Sequence, residues 1–392
     1  MIAVFLSPFY IAMNIYIVIR LLRWLGACHT RLEHPAVWAA VITVYAFFAL
    51  SPVTGMLITA EPVHSWLKYI TNYWTGILLI GAVALIVGDG ARFVLNRTVW
   101  KENHPDRKRF IAGGLCVIIV VLGAGGYGII HGKDISVVHE EVAVNKAANT
   151  DELRIALVAD LHIGYNSSVD HIRKMVDIIE DENPDMVVMA GDIFDNEYDA
   201  IPDKTEMVET LKEMTDKYPT YACWGNHDVE EMILVGFTFG GGAKDDEKFR
   251  EFLDDAGVIL LEDETVLTGE GVYIAGRKDP SKSEKEGYGR LSPSELLKDA
   301  DMTKPVIVID HQPGELSELS EAGADIDLSG HTHDGQIFPG NLTINIAWDN
   351  PYGVMKEGNM TSFVTSGVGV WGPPMRIGTD NEVMIIDVSF NG

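Results

Sequence analysis

The chain has 392 residues, a formal net charge of -27 and 47% hydrophobic residues, enough for more than one domain and too acidic to seek nucleic acid polymers. The charge is uneven: residues 1–134 hold 11 basic and 6 acidic residues, which leaves 19 basic against 51 acidic residues in 135–392. Of three cysteines only Cys223 falls in the acidic part, which excludes a disulfide framework or a thiolate metal site there.

Residues 1–134 read as a four-helix transmembrane region. The apolar runs Ile2–Leu22, Ala36–Ala60, Trp66–Val87 and Phe110–Ile130 approach or exceed the roughly 20 residues that a hydrocarbon core requires. In the first run the positive charges follow the apolar stretch, an order that argues against a cleaved signal. Arg20, Arg23 and Arg31 near the first link, and Arg92, Arg97, Lys101, Arg107, Lys108 and Arg109 near the third, place both links in the cytoplasm by the positive-inside rule. An even number of spans then puts the acidic half outside it, on a multi-pass protein of the cell membrane. Trp66, Tyr69, Tyr73 and Trp74 fit an interfacial aromatic belt, and Asn14 a helix contact.

Residues 135–151, with the polar run Glu140–Asp151, read as a linker, and 152–392 as the folded domain. Short apolar runs there alternate with helical patterns, Leu153–Ala159 before Val169–Glu182, Met186–Ala190 before Lys204–Lys217, and Thr220–Trp224 before Asp246–Ala256. That alternation predicts βαβ units around a central sheet. Later runs at Val258–Leu261, Val272–Gly276, Val306–Asp310, Ile326–Ser329, Leu342–Ile346, Phe363–Thr365 and Val383–Val388 predict a second sheet packed on the first. Gly240-Gly241-Gly242 reads as a flexible loop beside the site, and Lys282–Gly289 as a charged surface insertion.

Five clusters of polar, metal-competent residues follow these runs: Asp160-Leu161-His162, Gly191-Asp192-Ile193-Phe194-Asp195, Gly225-Asn226-His227-Asp228, His311, and Gly330-His331-Thr332-His333. Residues two apart at a strand end point to one face, so Asp160 with His162 and His331 with His333 each offer a converging pair. Histidine and carboxylate ligands without cysteine suit two divalent ions of the Mn, Fe, Zn or Co type, with Mn favoured. Clusters just beyond the carboxyl ends of strands are where open α/β sheets gather their sites. His139 and His171 read as surface residues, Cys223 as a small buried side chain, Asp228 as a turn cap or outer support, and Asp310 and Gln312 as flanks of His311 that either orient it or face solvent.

In this order and spacing the clusters resemble the calcineurin-like metallophosphoesterases, whose pattern is D-x-H, G-D-x-x-D, G-N-H-D/E, H, G-H-x-H. The resemblance covers about Leu153 to Val388. It implies a four-layer α/β sandwich of two sheets flanked by helices, with Asp160, His162 and His333 on one metal, Asn226, His311 and His331 on the other, and Asp192 bridging both. It further implies that His227 sits over the substrate phosphate with Asp195 orienting it. The runs His331-Thr332-His333-Asp334-Gly335-Gln336 and Trp371-Gly372-Pro373-Pro374-Met375-Arg376 look most like the bacterial membrane-associated branch, similar to UDP-2,3-diacylglucosamine pyrophosphatases, although Asp334 stands where glycine is common. Arg376 reads either as a phosphate clamp or as a structural arginine on a late loop, and Arg277 and Lys278 as further nearby cations. The expected activity is hydrolysis of a phosphodiester or pyrophosphate bond in a phosphorylated, lipid-linked substrate; the alternatives are soluble nucleotides or a metal-binding sensor without turnover.

Overall fold

The computed structural model of the chain describes residues 2–100, 106–230, 233–234, 237–238, 247–287 and 289–392. Lys101, His104 and the Gly240–Gly242 loop lie outside these residues. The chain divides into two compact units, one built on residues up to Ile130 and one beginning at His131.

The first unit is helical, with α1 (Ile2–Cys28), α2 (Pro35–Ala49), α3 (Ser51–Leu57), α4 (Val63–Thr98) and α5 (Arg107–His131). Helices α1, α4 and α5 are long and apolar enough to cross a membrane. The run 36–60, expected to be one span, is a pair of helices bent by 51°. Pro52 in the first turn of α3 explains the break, since proline lacks the N–H and its ring clashes with the carbonyl four residues back. The unit therefore holds three such helices, or four if the bent pair counts as one span. Within this unit Asp89 meets Arg20 and accepts from Tyr16 Oη at 2.7 Å, and Asn14 accepts from Tyr45 Oη at 3.0 Å.

The second unit opens with β1 (Ile135–Val144), β2 (Glu152–Val158), α6 (Val169–Glu182), β3 (Met186–Ala190), α7 (Lys204–Thr215) and β4 (Thr220–Cys223). A two-stranded hairpin follows, β5 (Ile233–Leu234) and β6 (Phe237–Thr238), which groups with the helical unit. The chain continues through α8 (Glu247–Asp255), β7 (Ile259–Leu260), β8 (Glu264–Leu267), β9 (Tyr273–Gly276), α9 (Pro280–Glu286), α10 (Pro293–Leu296), β10 (Val306–Ile309), α11 (Leu316–Ala322) and β11 (Ile326–Ser329). It ends in α12 (Gly340–Thr343), β12 (Gly353–Glu357), β13 (Met360–Val364) and β14 (Asn381–Phe390).

Two six-stranded mixed sheets result, ordered β1-β14-β2-β3-β4-β7 and β12-β13-β11-β10-β9-β8. Side chains alternate across each strand. From β2, Ile155 and Leu157 join Ile307, Ile309, Ile326 and Leu328 in the core between the sheets, while Ala156 and Val158 face the other way, onto Ile172, Met175 and Ile179 of α6 and Leu211 of α7. Beneath the second sheet, Val306 and Val308 pack on Leu316 and Leu319 of α11. The layers run helix, sheet, sheet, helix, the expected sandwich.

Three local expectations need correction. The supposed linker 135–151 contains β1, which runs parallel to β14 over ten paired residues, Ile135↔Asn381 to Val144↔Phe390. Along it exposed Ser136, His139, Glu141 and Ala143 are interspersed with partly buried residues, as the pleat of a strand requires, and Ile135 and Val144 at its two ends are buried. Leu342–Ile346 is helical turn instead of strand, with Leu342 and Ile346 exposed at its surface. The supposed insertion at Lys282–Gly289 includes most of α9, capped by Asp279, whose carboxylate accepts from Lys282 N at 2.9 Å; Lys282 itself is buried, with its ammonium 5.2 Å from the Trp224 ring.

Candidate metal centre

The five clusters occupy the loops that leave the carboxyl ends of β2, β3, β4, β10 and β11, so both sheets feed one place. Backbone hydrogen bonds lace the loops together: Asp160 N to Gly191 O at 3.0 Å, His162 N to Asp192 O at 3.1 Å, and Gly330 N to His311 O at 3.0 Å. Glycine is required where they touch. A Cβ on Gly225 would overlap the Asp192 carboxylate, and one on Gly330 would lie 2.6 Å from Asp160 Oδ2.

Two groups of ligand atoms form there, each with its members within 4.8 Å of one another: Asp160, His162 and His333, and Asp192, His311 and His331. In the first, the Nε2 atoms of His162 and His333 stand 3.1 Å apart, and Asp160 Oδ1 lies 3.4 Å from His333 Nε2. That oxygen is buried and makes no hydrogen bond among the described residues. In the second, Asp192 Oδ2 is 3.1 Å from His311 Nε2 and His331 Nδ1 is 3.2 Å from that same nitrogen. Asp192 Oδ2 also lies 3.9 Å from His162 Nε2, which puts this carboxylate between the groups. Ligand atoms about 2.1 Å from a shared cation stand some 3–3.5 Å from each other, so these spacings and the orphaned oxygen fit two divalent ions held by nitrogen and oxygen. Asn226 follows Gly225 in the β4 loop, with its amide oxygen shielded from solvent.

The backbone is strained at the same residues. Asp160, His162, Asp192, His331 and His333 have φ of 54°, 45°, 48°, 71° and 51°, a left-handed conformation that costs a non-glycine residue about 1–3 kcal/mol. For two of the histidines, His331 and His333, the protonation state favours ligation as well, whereas the carboxylate of Asp192 holds His311 above its ordinary value against burial. Burial and the neighbouring His311 push the His331 imidazole down to about 3, and burial with His162 and Arg376 holds His333 well below its ordinary value, which leaves both rings neutral. Burial alone would raise Asp192, yet the imidazoles of His311 and His227 hold its carboxyl well below the usual carboxylate range. His311 Nδ1 donates to Ala190 O at 2.8 Å, which turns Nε2 toward the site.

Comparison with known proteins agrees with this geometry. Residues 153–335 match the calcineurin-like phosphoesterase family. The acidic half carries a calcineurin-like metallophosphoesterase domain. The chain is similar to a Helicobacter pylori metallophosphoesterase, 29% identical over 59% of this chain and 58% of that protein, so the match spans about three fifths of the relative's length. It is also similar to a Danio rerio transmembrane protein with a metallophosphoesterase domain, 26% identical over 88% of this chain and 79% of that one. Among solved structures, a dimetal phosphatase from Danio rerio aligns with 57% of this chain and 89% of that chain at 14% identity and a TM-score of 0.35.

Around the metallophosphoesterase centre, His227 stands with its ring 5.4 Å from that of His162 and 5.9 Å from that of Trp371. Its backbone N–H donates to Asp192 Oδ1 at 2.7 Å, and its ring Nδ1 meets Asn196 Oδ1. The Asn196 amide is fixed by its Nδ2, which donates to Val229 O at 3.1 Å, so its oxygen faces the imidazole and sets the tautomer that leaves Nε2 outward. The residue against His227 Nδ1 is thus Asn196, next to Asp195, whose carboxylate lies 3.8 Å from His162 Nδ1. The G-D-x-x-D spacing points to position 195, and only the turn of the following residue brings 196 beneath the imidazole. Asp228 is a turn cap: its carboxylate accepts from Gly225 N at 2.7 Å and Phe194 N at 2.8 Å.

Arg376 makes the contacts of the structural arginine, the second of its two readings. It is fully buried, and its guanidinium donates to Asn381 Oδ1 at 2.6 Å, His333 O at 2.7 Å, Ser366 O at 2.6 Å and Gly369 O at 2.9 Å. It holds the loop that carries His333. Arg277 is likewise buried, paired with Asp310 at 2.8 Å and Glu315 at 2.7 Å, so Asp310 serves that pair instead of orienting His311. Gln312 turns to Asp279 at 2.7 Å. His139 lies 3.5 Å from Glu182, and His171 Nε2 meets Val368 O at 2.9 Å.

Proposed function

We propose that the domain is a dinuclear-metal phosphoesterase that hydrolyses a phosphodiester or pyrophosphate bond, and that its substrate is a membrane lipid or a lipid-linked cell-envelope intermediate. The observation that supports it is the placement of Asp192 between two ligand groups that each span less than 4.8 Å. Asp160, His162 and His333 would hold one ion, and Asp192, His311, His331 and Asn226 the other, with Asp192 shared. Two such ions, with Mn favoured, would supply an acidified water and neutralise charge on a phosphoryl group. His227, whose Nδ1–H is held by Asn196, presents Nε2 to the substrate, and in its doubly protonated imidazolium form it would give the Nε2 proton to the departing oxygen. Asp195 steadies His162 from its far side.

The membrane reading rests on the apolar helices, and it assigns residues 1–134 to the membrane and 152–392 to catalysis, outside the cytoplasm. Anchoring next to the bilayer raises the local concentration of lipid-linked esters. The full chain in detergent, supplied with Mn, should hydrolyse bis-p-nitrophenyl phosphate, and Asp192→Asn should abolish that turnover. Absence of turnover with Mn, Fe, Zn and Co alike would remove the proposal.

A further inference from the structure

Arg376 and Arg277 are buried in structural roles, so neither is free to recognise a phosphorylated substrate beside the metals. A cavity of about 450 Å³ supplies other cations. Its lining includes the metal-ligand candidate His162 together with Lys133, Ser167 and Lys174, and Asp170 is the one carboxylate among the lining residues. Lys174 Nζ is only loosely held, 3.3 Å from Lys133 O and 3.5 Å from Asp134 Oδ1. Ser167 Oγ is shielded from solvent and makes no hydrogen bond among the described residues. A buried hydroxyl without a partner costs about 1–3 kcal/mol, which an anionic oxygen would return once the serine side chain rotates its shielded Oγ toward the cavity. Two ammonium groups and an unsatisfied hydroxyl beside a metal-ligand candidate, in a domain otherwise dominated by carboxylates, form a local exception that suits an anion.

The chain itself says where such an anion comes from. Lys133 stands two residues after His131, the last residue of α5, which is apolar and long enough to cross a membrane. Two residues reach at most about 7 Å, so covalent geometry keeps this cation next to the end of that helix.

We propose that this cavity is a second anion subsite of the phosphoesterase centre, in which Lys133, Lys174 and Ser167 bind a further phosphate of a membrane amphiphile while the scissile phosphorus lies at the metals. The inference rests on the function proposed above and names the part of the substrate that sets its specificity: a headgroup with two adjacent phosphates, carried by a lipid.

The test uses the full chain in mixed micelles with Mn, with bis-p-nitrophenyl phosphate as the reporter substrate and two competitors, CDP-diacylglycerol as a lipid diphosphate and ADP-ribose as a soluble one. Both should inhibit the wild type, the lipid more strongly. In Lys133→Ala/Lys174→Ala the Ki of CDP-diacylglycerol should rise about tenfold or more relative to the KM for the reporter, and Lys133→Arg/Lys174→Arg, which keeps both charges, should recover most of that loss. An unchanged ratio in the alanine variant, or failure of both competitors to inhibit the wild type, overturns the subsite. Stronger inhibition by ADP-ribose than by the lipid overturns its assignment to a membrane substrate. Lack of reporter turnover by the wild type removes the proposed function, and this inference with it, whereas turnover with an unchanged ratio removes the inference alone.

Discussion

Replacing Arg376 separates a scaffold from a substrate clamp. In the structure its guanidinium donates to the backbone carbonyls of His333, Ser366 and Gly369 and to Asn381, all inside the domain. Arg376→Ala leaves three buried acceptors, the Ser366 and Gly369 carbonyls and Asn381 Oδ1, without a donor among the described residues, while the His333 carbonyl keeps the Gln336 N–H. At about 1–3 kcal/mol for each orphaned acceptor, the loss is roughly 3–9 kcal/mol, set against a total stability of about 5–15 kcal/mol for a typical domain. The alanine protein should therefore be largely unfolded. Arg376→Lys keeps the charge, but three donors on one nitrogen cannot reach acceptors arranged around a planar guanidinium. It should cost about 2–4 kcal/mol, which for a domain of this size lowers the melting temperature by roughly 5–15 °C. Tryptophan fluorescence of the full chain in detergent follows the transition, because Trp224 is buried in the core of this domain. Metal content should fall in the lysine variant, since the same arginine holds the His333 loop. A lysine variant that melts with the wild type and shows only a raised KM for phosphoesters would refute the scaffold reading and restore the clamp.

Other consequences can be checked separately. His227→Ala should lower kcat by about 10²–10⁴ while the protein still carries two metal ions per chain by elemental analysis; full activity would remove His227 from the reaction. Burial raises the Asp327 carboxyl to about 7, against hydrogen bonds from Ser362 Oγ at 2.7 Å and from Ser329 that favour its charge. The folded state thus prefers the protonated acid, so its contribution is complete below about pH 4 and is lost as pH rises toward 7. Asp327→Asn should accordingly gain stability over the wild type at pH 8 and lose that advantage near pH 4, read from melting temperatures across pH. The exposed position Lys298, changed to cysteine in a chain lacking Cys28 and Cys116, should react with an impermeant maleimide on intact cells. Labelling only after lysis would place the domain in the cytoplasm and return cytoplasmic substrates to contention.

The sequence made the centre legible because each ligand follows a strand, and a strand announces itself by an uninterrupted buried run such as Met186–Ala190. What it concealed depends on the third dimension. β1 reads as linker because its partner is 245 residues away in sequence, Ser136 Oγ meeting Asn381 O, and only that partner makes its alternation meaningful. Asn196 could not be separated from Asp195 without knowing the turn that follows β3. Arg376 and Lys282 look like surface cations until the carbonyls and the Trp224 ring that surround them are assembled. The bend at Pro52 was written in the chain and was outweighed by the apolar run on either side.

The pairing of β1 with β14 has a further consequence for shedding. A folded domain tethered to apolar helices by a flexible stalk can be clipped free by a protease. Here three residues separate α5 from β1, and the carbonyls of Gly132 and Asp134 both accept from Asn381 Nδ2, at 2.8 and 3.2 Å. The nearest slack lies after β1, at residues 145–151. A cut there would sever the chain and still leave ten residue pairs of ladder holding the fragments together, so release would cost the enzyme an edge strand of its own sheet.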